Sequence, residues 1–166
     1  FPESQTDVRL IIKGRPEMID KWFVDMKLPD TRIRRWYDNV SDMKQVFSEA
    51  DCVVYPAHGD GFGMWWREAV MMGLPALVTP YSGNAVGAEE AAIPLTNYTM
   101  VESMLDYSHG QWAEPDVHEV AEKMRWCYEH QAEARAKGLA GAKWLRENQT
   151  WDHSAKALLK LIEAHA

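Results

Sequence analysis

Residues 52–78 read Cys52-Val53-Val54-Tyr55-Pro56-Ala57-His58-Gly59-Asp60-Gly61-Phe62-Gly63-Met64-Trp65-Trp66-Arg67-Glu68-Ala69-Val70-Met71-Met72-Gly73-Leu74-Pro75-Ala76-Leu77-Val78. Two short apolar runs, 52–55 and 77–78 with its neighbours, flank a helix-length segment over 64–72 that Gly73 ends. Neither run alternates with polar residues, and Pro56 stops the first. Strands of that kind, joined through a helix, belong to a parallel sheet covered on both faces.

The same alternation extends outward. Residues 8–12 (Val-Arg-Leu-Ile-Ile) form a β-branched run closed by Gly14 and Pro16. Residues 17–27 follow with Met18, Trp22, Phe23 and Met26 at helical spacing, and residues 32–36 are a candidate strand. Residues 42–50 place Met43, Val46 and Phe47 on one helical face, and residues 93–95 make a last short strand. From Pro115 onward the pattern is helical only, with Val117, Val120, Ala121, Met124, Cys127 and Tyr128 on one stripe. A break is expected near residues 138–141, and Asp152 is placed to cap a final helix carrying Ala155, Leu158, Leu161 and Ile162. The pattern predicts an α/β fold: a doubly wound, Rossmann-like parallel sheet with helices on both faces and a C-terminal helical extension. Residues 1–166 read as one domain, without internal repeat or low-complexity tract.

Composition narrows the function. Eighteen Lys and Arg against twenty-five Asp and Glu give a net charge of −7, which argues against a nucleic-acid or anionic-membrane surface. No apolar run approaches the roughly 20 residues of a membrane span, and no signal-peptide pattern opens the chain. The two cysteines, Cys52 and Cys127, read as free buried thiols, as in a cytoplasmic, reducing setting. The opening Phe1-Pro2, in place of Met, reads as the start of an excised or processed piece.

Ligands of doubly wound sheets bind beyond the carboxyl ends of the strands, where residues 56–63 lie. Gly59, Gly61 and Gly63 permit close backbone approach, and the amides of the first helical turn offer an anion site suited to a diphosphate. A plain structural turn is the alternative. The helix over 64–72 is apolar nearly all round, so burial on most sides is expected, with Arg67 and Glu68 its only charges. Adjacent helix residues point about 100° apart and do not pair. A carboxylate in such a site needs donors, which the vicinal hydroxyls of a ribose or hexose would supply. A salt bridge from Glu68 to an arginine elsewhere is the competing reading.

The stretch 60–79 resembles the E-x7-E segment of retaining, nucleotide-sugar-dependent glycosyltransferases of the GT-B fold, close to E-G-F-G-x-x-x-x-E-A-x-A-x-G-x-P-V-x-x-T. Residues 47–56 resemble that family's "y-x-x-A-D-v-x-v-x-P" lead-in, residues 8–14 its "k-L-x-i-x-G" strand, and Trp151-Asp152 its closing "tW-e" helix. The resemblance implies one half of a GT-B architecture, the donor-binding half. It places Glu68 on the ribose hydroxyls and Asp60 at the donor sugar. The amides of Phe62, Gly63 and Met64, with Gly61 in the same turn, would face the sugar and distal phosphate. Gly14 would lie beside the nucleoside.

Such enzymes transfer a hexose from a nucleoside-diphosphate sugar to a glycan or lipid acceptor, with no bound metal or other cofactor expected. Asp60 stands where the family has Glu, one methylene longer, and Trp65-Trp66 replaces smaller residues. The family's first strand and helix of this domain, with the Arg and Lys that grip the diphosphate, would precede Phe1. So would its N-terminal domain, which binds most of the acceptor. Two alternatives are a nucleotide-sugar epimerase of the same fold and a non-catalytic α/β nucleotide-binding module.

Other positions carry less. His58, in the glycine loop, reads as an exposed loop histidine or as a group that approaches the donor, and Ser82-Gly83-Asn84 reads either as a simple turn or, by resemblance, as the turn facing the sugar. Trp36 and Tyr37 end a candidate strand near the expected place of the base, where aromatic residues also serve as core. His109, His118, His130, His153 and His165 show no metal-ligand spacing.

Overall fold

The computed structural model describes residues 1, 4–17, 19–21, 31–103 and 110–165. The chain divides into two compact units, residues 1–45 and 46–166. In the first, strands β1 (Leu10–Lys13) and β2 (Ile33–Trp36) pair in parallel, from Leu10 opposite Ile33 to Lys13 opposite Trp36. Gly14 follows β1, and a side chain there would meet the buried Ile19 at 3.2 Å. Tyr37 and Arg35 both donate to Asp20 Oδ1, at 2.5 and 2.8 Å, while the Arg34 guanidinium lies over the Trp36 ring. The expected helix positions Met18, Trp22, Phe23 and Met26 lie outside the described residues. The helix expected over 42–50 is a single turn, α1 (Lys44–Phe47), which begins two residues past Asp42, whose carboxylate accepts from the Lys44 amide.

In the second unit β3 (Val53–Tyr55), β4 (Ala76–Val78) and β5 (Ile93–Pro94) form a parallel sheet in that order. Helix α2 (Met64–Met71) connects β3 to β4, and a 3₁₀ turn (Ser82–Ala85) and α3 (Ala88–Ala91) connect β4 to β5. The central strand shows why its residues are all apolar. Ala76 and Val78 enter one core with Trp66, Val70, Ala88, Ala91 and Leu145, whereas Leu77 enters a second with Ile93, Leu95, Cys127 and Ala134. Both faces of the sheet are therefore covered, as non-alternating strands require. Helices α4 (Val117–Glu129), α5 (Gln131–Asn148) and α6 (Trp151–His165) complete the unit. No helix among the described residues is long and apolar enough to cross a membrane.

Three local expectations are corrected. The break near residues 138–141 does not exist, because α5 runs through both glycines. A side chain on Gly138 would lie 2.5 Å from the Gly73 carbonyl oxygen, and one on Gly141 would lie 2.1 Å from that of Ala91. Contact with neighbouring backbone, not helix termination, explains these glycines. Secondly, Thr150 rather than Asp152 opens α6, its hydroxyl accepting from the His153 amide at 3.4 Å. Thirdly, residues 98–115 contain an antiparallel pair absent from the sequence reading: β6 (Tyr98–Glu102) and β7 (Gln111–Pro115), with Tyr98 opposite Pro115.

Candidate functional site

The glycine turn 56–63 leaves the carboxyl end of β3, and the turn holding Ser82 leaves that of β4. The two touch through backbone. The amide of Gly83 and the hydroxyl of Ser82 both donate to the Asp60 carbonyl, at 2.9 and 3.1 Å. A side chain on Gly83 would lie 2.2 Å from the Gly61 carbonyl oxygen, so glycine is required by contact. Gly63 is in the left-handed region at φ 72°, and a side chain there would strike Asn84 and Trp66. Both are fully buried, with the Trp66 indole donating to Asn84 Oδ1 at 3.2 Å.

Asp60 organises the turn. Its Oδ1 accepts from the amides of Phe62 (2.9 Å) and Gly63 (2.5 Å), and its Oδ2 from the Tyr55 hydroxyl (2.7 Å). The Tyr55 bond, helped by the two amides and the charge of Arg67, holds this carboxyl below the usual aspartate range. Burial and the same carboxylate push the Tyr55 phenol up to about 12. The amides of Phe62 and Gly63, expected to face into the crevice, are thus turned onto Asp60. Among the described residues no acceptor is bonded to that of Met64, the first helical residue.

Arg67 lies beneath the turn, 5% exposed. Its guanidinium donates to the carbonyls of Phe62, Gly63, Gly83 and Val86 and to the Gln149 side chain, and it stacks on the Phe62 and Trp66 rings at 4.0 and 4.2 Å. Burial lowers its pKa to about 10. Glycine turn, 3₁₀ turn and the end of α5 are tied at this one cation.

The expected burial of α2 on most sides is corrected. Trp66, Arg67, Ala69 and Val70 are buried, but Met64, Trp65, Glu68 and Met71 are exposed along the opposite face. Trp66 is therefore core and Trp65 is not. Glu68 is exposed and has no hydrogen-bond or ion-pair partner among the described residues, so the arginine salt bridge does not form there. Asp60, Gly61, Phe62, Gly63, Met64 and Glu68 are brought together in the second unit, while Gly14 belongs to the first.

The chain matches, over residues 7–158, the family described as family 4 glycosyltransferase in conflict systems. It belongs to that family. Its fold is that of half of a GT-B glycosyltransferase, as a solved structure illustrates: a sucrose-phosphate synthase from Thermosynechococcus elongatus, 17% identical, with a TM-score of 0.71. The similarity covers 99% of this chain but only 41% of that protein. No curated protein matches the chain by sequence.

Some residues of this glycosyltransferase domain escaped the sequence reading. His58 is half-buried, not exposed: its imidazole bonds the Glu114 carboxylate and stacks on Trp112 at 5.2 Å. Tyr55 holds Asp60, and Tyr81 donates to the Gln111 carbonyl at 3.0 Å. The aromatic and β-branched residues 98–101 were the available signal for the strand that pairs with this wall.

Proposed function

We propose that this domain binds the nucleoside-diphosphate sugar of a retaining glycosyltransferase that moves a hexose to a glycan or lipid acceptor, the acceptor being held mainly by a further domain. One observation carries the reading: a solvent-facing carboxylate without a partner among the described residues, Glu68, stands one turn into the helix that the glycine turn opens. Vicinal ribose hydroxyls donate to such a carboxylate in good geometry. The amide of Met64 and the amino end of α2 face the distal phosphate and stabilise the negative charge that develops on it as the sugar departs. Asp60 keeps the turn in shape and presents its outer carboxylate edge to the sugar. No metal is called on for the chemistry. The enzyme works in the cytoplasm.

The eight tryptophans make a fluorescence titration with UDP-, GDP- and ADP-glucose direct. One nucleotide sugar is expected to give saturable quenching. Glu68→Ala is expected to abolish that response while moving stability by no more than ~0.5 kcal/mol, since the side chain is exposed and has no polar partner among the described residues. Undiminished binding by the variant, or silence of the wild type towards all three donors, would refute the assignment.

A further inference from the structure

Strand β7 is fastened to both turns of the site. The Ala113 amide donates to the His58 carbonyl at 3.1 Å, the Tyr81 hydroxyl donates to the Gln111 carbonyl at 3.0 Å, and the His58 imidazole meets both Glu114 and Trp112. Between strand and turns lies a pocket of about 510 Å³ whose walls include Asp60, Ser82, Tyr81, Gln111 and Trp112. That volume lies within the range of small-molecule sites.

The chemistry of the walls selects the ligand. Among the described residues no Lys or Arg lines the pocket, and the ionised Asp60 disfavours a phosphate there. The imidazole of His58 stacks on one face of the Trp112 indole at an interplanar angle of 17°, which holds the indole in place at the pocket wall. What remains is a set of hydrogen-bonding groups around one carboxylate, with the Trp112 ring and the Glu114-bonded His58 imidazole beside them. The Tyr81 oxygen, having donated its proton to Gln111, can still accept. So can Asp60 Oδ2, and the Gln111 amide both donates and accepts. A neutral polyol matches that inventory.

We propose that the β6–β7 hairpin is the sugar-selecting wall of the donor site, with the Gln111 side chain and the Trp112 indole discriminating between hexoses. This rests on the donor-binding assignment above and deepens it: the nucleotide is held by the α2 side, and the hexose by the hairpin. Gln111 and Trp112 act on binding of the sugar and leave the nucleotide untouched.

Isothermal titration of the 166-residue chain tests it, with the preferred nucleoside diphosphate alone and with its glucose, galactose and mannose conjugates. The wild type is expected to bind one conjugate at least tenfold more tightly than the bare diphosphate. Trp112→Leu and Gln111→Ala are each expected to remove most of that increment and to flatten the preference among epimers, with diphosphate affinity unchanged within twofold. Gln111 is exposed and its structural bonds are main-chain, so its variant folds even where the Trp112 variant does not. An increment retained in Gln111→Ala and in folded Trp112→Leu overturns the hairpin's role alone. So does a wild type that binds diphosphate and conjugates equally. A wild type that binds none of them overturns the donor-binding assignment and the hairpin's role together.

Discussion

Replacing Arg67 by Met should be the most damaging single change to the site that leaves its surface residues in place. Met keeps an unbranched chain of similar length but removes every donor. The Gly63 carbonyl loses its guanidinium donor at 3.1 Å but, as the cap of α2, keeps the main-chain amide of residue 67, so its loss is about 0.5–1 kcal/mol. The Phe62 and Gly83 carbonyls are only partly buried, so water relieves them and each contributes roughly 0.5 kcal/mol. The Val86 carbonyl keeps a donor, the Gln149 amide at 3.2 Å. Loss of the stacked guanidinium between Phe62 and Trp66 adds about 0.5–1 kcal/mol per ring. Against this, removing a buried charge recovers part of its desolvation penalty. The net expectation is a loss of about 1–3 kcal/mol, or roughly 3–10 °C in Tm for a chain of this size. Arg67→Lys keeps the charge but not the planar fork, so it should fall between wild type and Met. Urea unfolding followed by tryptophan fluorescence, with calorimetry, measures both. Arg67→Met within ~0.5 kcal/mol of wild type would refute the view that this cation holds the turns together.

Gly141→Ala should destabilise by about 1–3 kcal/mol in urea even though alanine is the better helix former, because the added carbon strikes the Ala91 backbone at 2.1 Å. Thr150→Ala should cost about 1 kcal/mol of helix stability and reduce the circular-dichroism signal of α6. The carboxyl of Asp60 is held below its ordinary value of about 3.9, so its stabilising contribution is present above that pH and is lost as pH falls through the folded value. The stability gap between wild type and Asp60→Asn should accordingly close on acidification below about pH 4, and a gap independent of pH would contradict the assignment. Cys52 and Cys127 are free thiols; hydrogen bonding with Cys127 and burial push the Cys52 thiol up, while the same interaction draws the Cys127 thiol down. Cys52 should not react with a thiol reagent at neutral pH until the chain unfolds, as paired rate measurements in buffer and urea would reveal.

The parallel sheet was legible because its evidence is local: three consecutive apolar residues at 76–78 state on their own that both faces are covered. The hairpin was not, because β6 and β7 are half exposed and gain their order from pairing across a connection, and because β7 ends at Pro115 where a helical pattern begins. Local propensity also misread Gly138 and Gly141, whose reason lies in backbone contributed by residues 73–75 and 91. At the site, the glycine spacing marked the start of α2 correctly, but an apolar sequence around Glu68 did not mean a buried one: Met64 and Trp65 remain 42% and 46% exposed.

The amides of the turn illustrate the limit most clearly. Glycines tell where a backbone can approach a ligand, not which of its donors are still available, since a single side chain can claim them. Aspartate is short enough to fold back onto the amides two and three residues ahead of it, and here it does so. A glutamate, one methylene longer, reaches past that closed turn. The substitution at position 60, which in sequence looked like a loss of reach toward the sugar, is in the fold the reason the turn holds its own shape and leaves Met64 as the first unclaimed donor of the helix.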